Sequence, residues 1–146
     1  MPTTNHRGEL IYVSWGGTGR GAALRAAYDQ AADADQSLTY LAILDPPHFA
    51  DLDSIFVKLV VDELEWLLTA HVKTVAQASD KQVNSTRVIV RTGEVDDQVV
   101  DLAEVSGAAS IVLGAPGVVG DTSVDELAAA LRTRTDLDVS IAGLSS

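Results

Sequence analysis

Short runs of apolar, β-branched residues punctuate the chain, and the stretches between them repeat their apolar residues every three or four positions. The runs are Leu10–Ser14, Thr39–Leu44, Arg87–Arg91 and Ser110–Leu113, with a shorter fifth at Val139–Ala142. Apolar runs without alternation predict strands covered on both faces, as in a parallel sheet. The helical pattern falls on Gly21–Ala34 (Ala22, Leu24, Ala27, Tyr28, Ala31), Asp97–Ser106 (Val99, Val100, Leu102, Ala103, Val105) and Ser123–Arg134 (Val124, Leu127, Ala128, Leu131). Ser123 and Glu126 have the spacing of a capping box. The order predicts one doubly wound α/β domain over 1–146, loose at 1–8, with a five-stranded parallel sheet and helices on both faces.

The longest helix is predicted at Asp53–Ser79, with Asp53 as N-cap. Its apolar residues include Ile55, Phe56, Leu59, Val60, Val61, Leu64, Trp66, Leu67, Leu68, Val72 and Val75. They cover more of the circumference than one sheet-facing stripe requires. Two readings stand. Either the helix is deeply packed on a wide apolar face, or it also forms a subunit or partner interface anchored by Trp66.

Composition narrows the function. A formal charge of −11 opposes nucleic-acid binding, which rests on Lys and Arg neutralising phosphates. No cysteine is present, so disulfides, thiolate metal sites and thiol chemistry are excluded. Met1–Glu9 is polar, unlike a secretory signal. Lys58–Ala76, the most apolar long stretch, carries Asp62, Glu63, Glu65 and Lys73, too many charges for a bilayer span. The expectation is a cytoplasmic protein without direct membrane insertion.

The candidate chemistry sits in two glycine-rich turns, each straight after a strand. Gly16-Gly17-Thr18-Gly19-Arg20-Gly21 follows the first strand, and Gly114-Ala115-Pro116-Gly117-Val118-Val119-Gly120 the fourth. Glycine lets the chain reverse and lets a ligand approach bare amides. If these strands are neighbours, both turns open on one crevice, the place where open α/β sheets bind nucleotides. Arg20 would offer a guanidinium to phosphate or carboxylate there.

Residues 88–117 read V-I-V-R-T-G-E-V-D-D-Q-V-V-D-L-A-E-V-S-G-A-A-S-I-V-L-G-A-P-G. This segment closely resembles the second half of universal stress protein domains, of the adenine nucleotide alpha hydrolase-like superfamily. The first half agrees in layout through Ala23-Leu24 and Ala42-Ile43-Leu44-Asp45-Pro46. The resemblance implies the strand order 3-2-1-4-5, so that strands one and four are adjacent. It also implies a ligand site at Ser14, Trp15, Gly16, Gly17, Gly19, Arg20, Ile43, Asp45, Gly114, Gly117, Gly120, Thr122, Ser123 and Val124.

The chain departs from the ATP-binding members in two places. Where they carry an aspartate at the end of strand one, this chain has Val13-Ser14-Trp15-Gly16. Where they carry G-x-x-G, nine residues and G-S/T, Gly114 and Gly117 are followed by Leu127 and Ala128. The nearest substitute, Gly120-Asp121-Thr122-Ser123-Val124, sets a carboxylate beside the phosphate position. At about 4 Å that repulsion is roughly 4 kcal/mol at an effective dielectric near 20.

Other motifs are weaker. Gly17–Ala22 fits the dinucleotide fingerprint G-x-G-x-x-G/A, with Asp45 as ribose acid, but the second half of a full dinucleotide fold is missing. His6, His48 and His71 do not share a metal-ligand spacing, and His71 reads as a helix surface or core-edge residue. Asp96 and Asp97 suit a helix N-terminus. No nucleophile stands with an evident base, so no metal site and no catalytic residue is predicted.

The expected function is regulatory binding in stress response, through a degenerate nucleotide crevice. The protein would act by dimerisation and by partner or small-anion binding. The alternative is an adenine-nucleotide sensor for ATP or AMP, accessory to a membrane transporter. The homodimer is expected through the Val139–Ala142 edge strand and through the long helix near Trp66; a protein partner is open, and nucleic acid is not expected.

Overall fold

The computed structural model describes residues 8–15, 21–44, 54–114 and 124–142. Five strands and four helices alternate: β1 (Glu9–Trp15), α1 (Gly21–Asp33), β2 (Ser37–Leu44), α2 (Ser54–Ala78), β3 (Thr86–Thr92), α3 (Val95–Ser106), β4 (Ser110–Gly114), α4 (Val124–Arg134) and β5 (Asp138–Ala142). All pairings are parallel and the order is β3-β2-β1-β4-β5. The apolar runs predicted all five strands, and the resemblance predicted their order. β2 starts at Ser37 instead of Thr39, because Ser37 and Leu38 already register with Glu9 and Leu10.

Alternation along β1 sorts the core onto two sides. Leu10 and Tyr12 face α1 and α2, with Leu24, Ala27, Tyr28, Tyr40, Leu68, Val72 and Val112. Ile11 and Val13 face α3 and α4, with Leu41, Ile43, Val99, Leu102, Ile111, Leu113, Leu127 and Leu131. β1 is thus buried on both faces, which explains its lack of polar alternation.

At the start of the strands, Thr39 ties the sheet laterally. Its hydroxyl donates to the Glu9 carboxylate and accepts from Arg87 Nε at 3.1 Å. Arg87 Nη2 also reaches Glu9 Oε2 at 3.2 Å, closing a triangle across β1, β2 and β3.

α3 begins at Val95, two residues before its predicted start, with Glu94 as an N-cap that makes no side-chain bond. Asp96 and Asp97 lie in the first turn, as expected, where the unpaired amides favour negative charge. Gly107 closes the helix in the left-handed conformation, φ 68°, a geometry that costs glycine little. Val105, counted with the apolar pattern, is exposed.

The deeply packed reading of α2 is corrected. Of its described side chains, Leu68, Val72 and Val75 are buried, with Val61, Leu64 and Ala76 partly so. Just past its C-terminus, Ser79 Oγ donates to Asp29 Oδ1 at 2.8 Å and Lys81 Nζ to Asp33 Oδ2 at 2.9 Å. That hydrogen bond to Asp33 holds the Lys81 ammonium above its ordinary pKa. The opposite face keeps Leu59, Val60, Trp66 and Leu67 in solvent. One stripe of a 25-residue helix meets the sheet, and the second apolar stripe is uncovered.

Candidate functional site

The site is built by the junction of β1 with its two neighbours. β1 pairs with β2 up to Trp15↔Ile43 and with β4 up to Val13↔Leu113. β2 and β4 leave β1 on opposite sides, so the strand order reverses at β1. A crevice beyond the carboxyl ends of the strands at such a switch point is where open α/β sheets bind ligands. β1 and β4 are thus adjacent and parallel, the neighbour relation the crevice expectation needed, while the two glycine-rich segments themselves lie outside the described residues.

Of the predicted site residues, Ser14, Trp15, Ile43, Gly114 and Val124 are described. Ser14, buried, and Trp15 end β1; Ile43, buried, stands beside Trp15 in β2; Gly114 ends β4; Val124 opens α4. The first four meet at one edge of the sheet. Gly16, Gly17, Gly19, Arg20, Asp45, Gly117, Gly120, Thr122 and Ser123 lie outside the described residues, as does Ser123 of the predicted capping box.

The second half of the phosphate signature is answered by burial. Leu127 and Ala128, in the places of the glycine and the hydroxyl, are 4% and 1% exposed. They belong to the α4 face packed with Ile11, Val13, Ile111 and Leu113. These two positions therefore support the helix and do not line a ligand loop.

Sequence reasoning missed Tyr12. Its ring is fully buried and meets Tyr40 edge-on, with centroids 5.0 Å apart and planes at 81°. Its hydroxyl lies against Gly114 and, though buried, has no hydrogen-bond partner among the described residues. Burial first, then the neighbouring Tyr40, pushes this phenol well above its ordinary pKa. A signal was present in outline: a tyrosine among the aliphatic residues Leu10, Ile11 and Val13, and a glycine ending the strand beside it.

A shallow depression of about 290 Å³ lies away from this junction, lined by Ala103, Glu104, Arg134, Thr135, Asp136 and Leu137. Its guanidinium is already engaged. Arg134 Nη1 donates to Asp97 Oδ1 and Asp96 Oδ2, both at 2.9 Å, and the Asp97 bond first among its interactions raises the Arg134 pKa. Among the described residues no cluster of His, Cys, Asp and Glu could hold a metal ion, and no helix is long and apolar enough to cross a membrane.

A five-stranded parallel sheet of this order, with its switch point at β1 and helices between the strands, defines a doubly wound α/β domain. The chain belongs to the universal stress protein family, whose model matches residues 13–132.

Solved structures agree on the fold. The universal stress protein UspA from Lactobacillus plantarum superposes with a TM-score of 0.69 at 18% identity, over 94% of this chain and 99% of that one. A universal stress protein in complex with cAMP gives 0.57 at 16% identity, over 94% and 99%. The universal stress protein from Archaeoglobus fulgidus in complex with dAMP gives 0.54 at 15% identity, over 92% and 96%. A search of curated protein sequences finds no significant match.

Proposed function

We propose that this chain is a regulatory binding domain of the universal stress protein type, without catalysis, whose crevice takes a small anionic ligand and not a conventionally cradled ATP. The observation that carries this is the burial of Leu127 and Ala128 in the α4 core. The residues separated from Gly117 by nine positions, where the signature has its glycine and hydroxyl, are packed in the core. Ser14-Trp15, where the ATP-binding members carry the nucleoside-binding aspartate, offers no carboxylate and points the same way. The domain then acts by assembly: among the described residues β5 pairs with β4 alone, leaving an edge that a second copy would extend. Stress response and a cytoplasmic location belong to this reading as expectations from the family, and service to a membrane transporter to the nucleotide-sensor alternative.

A second reading, an adenine-mononucleotide sensor, draws on the relatives of the same fold that hold cAMP and dAMP. A thermal-shift series with ATP, AMP, cAMP, cyclic dinucleotides, NAD and small carboxylates tests both. Binding at a hundred times Kd adds about 2.7 kcal/mol, a rise of roughly 5–10 °C for a domain of this size. The first reading expects no response to ATP and a rise with a smaller anion. A rise with ATP overturns it, and a rise confined to AMP or cAMP selects the second.

A further inference from the structure

The exposed face of α2 repeats with a defined period. Leu59 and Trp66 are seven residues apart, as are Val60 and Leu67, so the two pairs stack two turns apart on one side of the helix. Trp66 is 71% exposed and Leu59 58%. Helices leave large side chains in this arrangement where another helix packs against them. The opposite face is already committed to the sheet through Leu68, Val72 and Val75.

Charge decides between occupants. Glu63 follows Leu59 by four residues and precedes Trp66 by three, so it lies within the apolar stripe. Among the described residues it makes no ion pair, whereas Asp62 on the flank is held by Lys58 at 3.5 Å. A second copy packed antiparallel about the centre of the stripe would set Glu63 against its own symmetry mate. A helix with a Lys or Arg opposite Glu63 avoids that cost.

We infer that the α2 stripe of Leu59, Val60, Trp66 and Leu67 docks a basic amphipathic helix of a partner protein, its apolar residues on Trp66 and Leu59 and a cationic side chain on Glu63. This rests on the reading that the domain acts through partners, and it names the chemistry of one.

The probe is a fluorescein-labelled synthetic Leu/Lys peptide with its leucines on one helical face, followed by anisotropy. A scrambled peptide of the same composition and a Leu/Glu peptide serve as comparisons. The amphipathic basic peptide is expected to bind at least about ten-fold more tightly than the scrambled one. Trp66→Glu and Leu59→Glu each weaken it at least about ten-fold, and Glu63→Lys shifts preference toward the Leu/Glu peptide. These side chains are exposed, so unchanged circular-dichroism melts certify the fold of each variant.

Equal binding of the scrambled peptide, or undiminished binding by Trp66→Glu, overturns the inference. So does self-association in sedimentation that Trp66→Glu abolishes, which would make the occupant a second copy. Absence of peptide binding together with ligand-induced stabilisation removes this surface and leaves the crevice reading standing. Tight, Trp66-dependent peptide binding without any ligand response does the reverse.

Discussion

The hydroxyl of Tyr12, on β1, fills the space that a side chain on Gly114, at the end of β4, would need. A Cβ built on that glycine stands 2.6 Å from the hydroxyl oxygen, 3.0 Å from Tyr12 Cζ and 3.1 Å from the Val13 carbonyl oxygen. The ring has no free direction in which to retreat, because it is enclosed and braced on Tyr40. The residue ending β4 is therefore fixed by its neighbour on β1.

Gly114→Ala is expected to destabilise the protein by about 1–3 kcal/mol through overpacking, read from urea unfolding. Tyr12→Phe alone is expected to be neutral or stabilising by about 1 kcal/mol, because it removes a buried hydroxyl without a partner. Combining the two should recover part of the Gly114→Ala loss, since the closest clash disappears. Strictly additive effects would show that the two residues do not press on one another.

The same phenol sets an alkaline limit. Its pKa in the folded chain is raised above the ordinary 10.0, while the unfolded chain titrates normally. Above that ordinary value the unfolded state releases a proton that the native state keeps, so stability falls as pH rises. The contribution is fully present below pH 10 and is lost toward the raised folded value, by up to about 1.4 kcal/mol per pH unit. Denaturant midpoints between pH 9 and 11 should decline more gently in Tyr12→Phe than in the parent. Identical slopes would contradict this.

On α2, two substitutions separate the faces. Leu68→Ala should cost about 2–4 kcal/mol, as truncation of a packed side chain does. Trp66→Ala should change stability by no more than about 0.5 kcal/mol despite the larger side chain lost. Thermal melts of the two variants suffice. A large loss for Trp66→Ala would mean that the helix packs through the other stripe.

Thr39→Val tests the lateral triangle with Glu9 and Arg87. Valine keeps the shape but takes away the bond to the carboxylate and the acceptor for Arg87 Nε. The expected cost is about 1–2 kcal/mol, measured by chemical denaturation. An unchanged midpoint would show that Glu9 and Arg87 satisfy one another without it.

The strands were legible because burial on both faces leaves continuous apolar runs, and their order followed from the resemblance of residues 88–117. The role of α2 was not legible. Leu59 and Leu68 are the same residue type on opposite sides of one helix, and only the sheet's position says which is covered. Tyr12 and Gly114 are 102 positions apart by their numbers, as Glu9 and Arg87 are 78, so no local pattern announces either contact. The start of α3 was misplaced for a different reason: Glu94 caps it without a side-chain bond, and Asp96 spends its carboxylate on the Asp97 amide at 3.0 Å.

β1 is registered with β2 along its whole length, Glu9–Trp15, but with β4 only over Leu10–Val13. The sheet therefore has a short seam, with β1, β2 and β3 on one side and β4 and β5 on the other. A buried ladder with fewer rungs should open more readily than its longer neighbour, so amide protons shared by β1 and β4 trade with deuterium sooner than those between β1 and β2. A tenant wedged at the mouth of that seam would gain its leverage from the shortest ladder among the described strands.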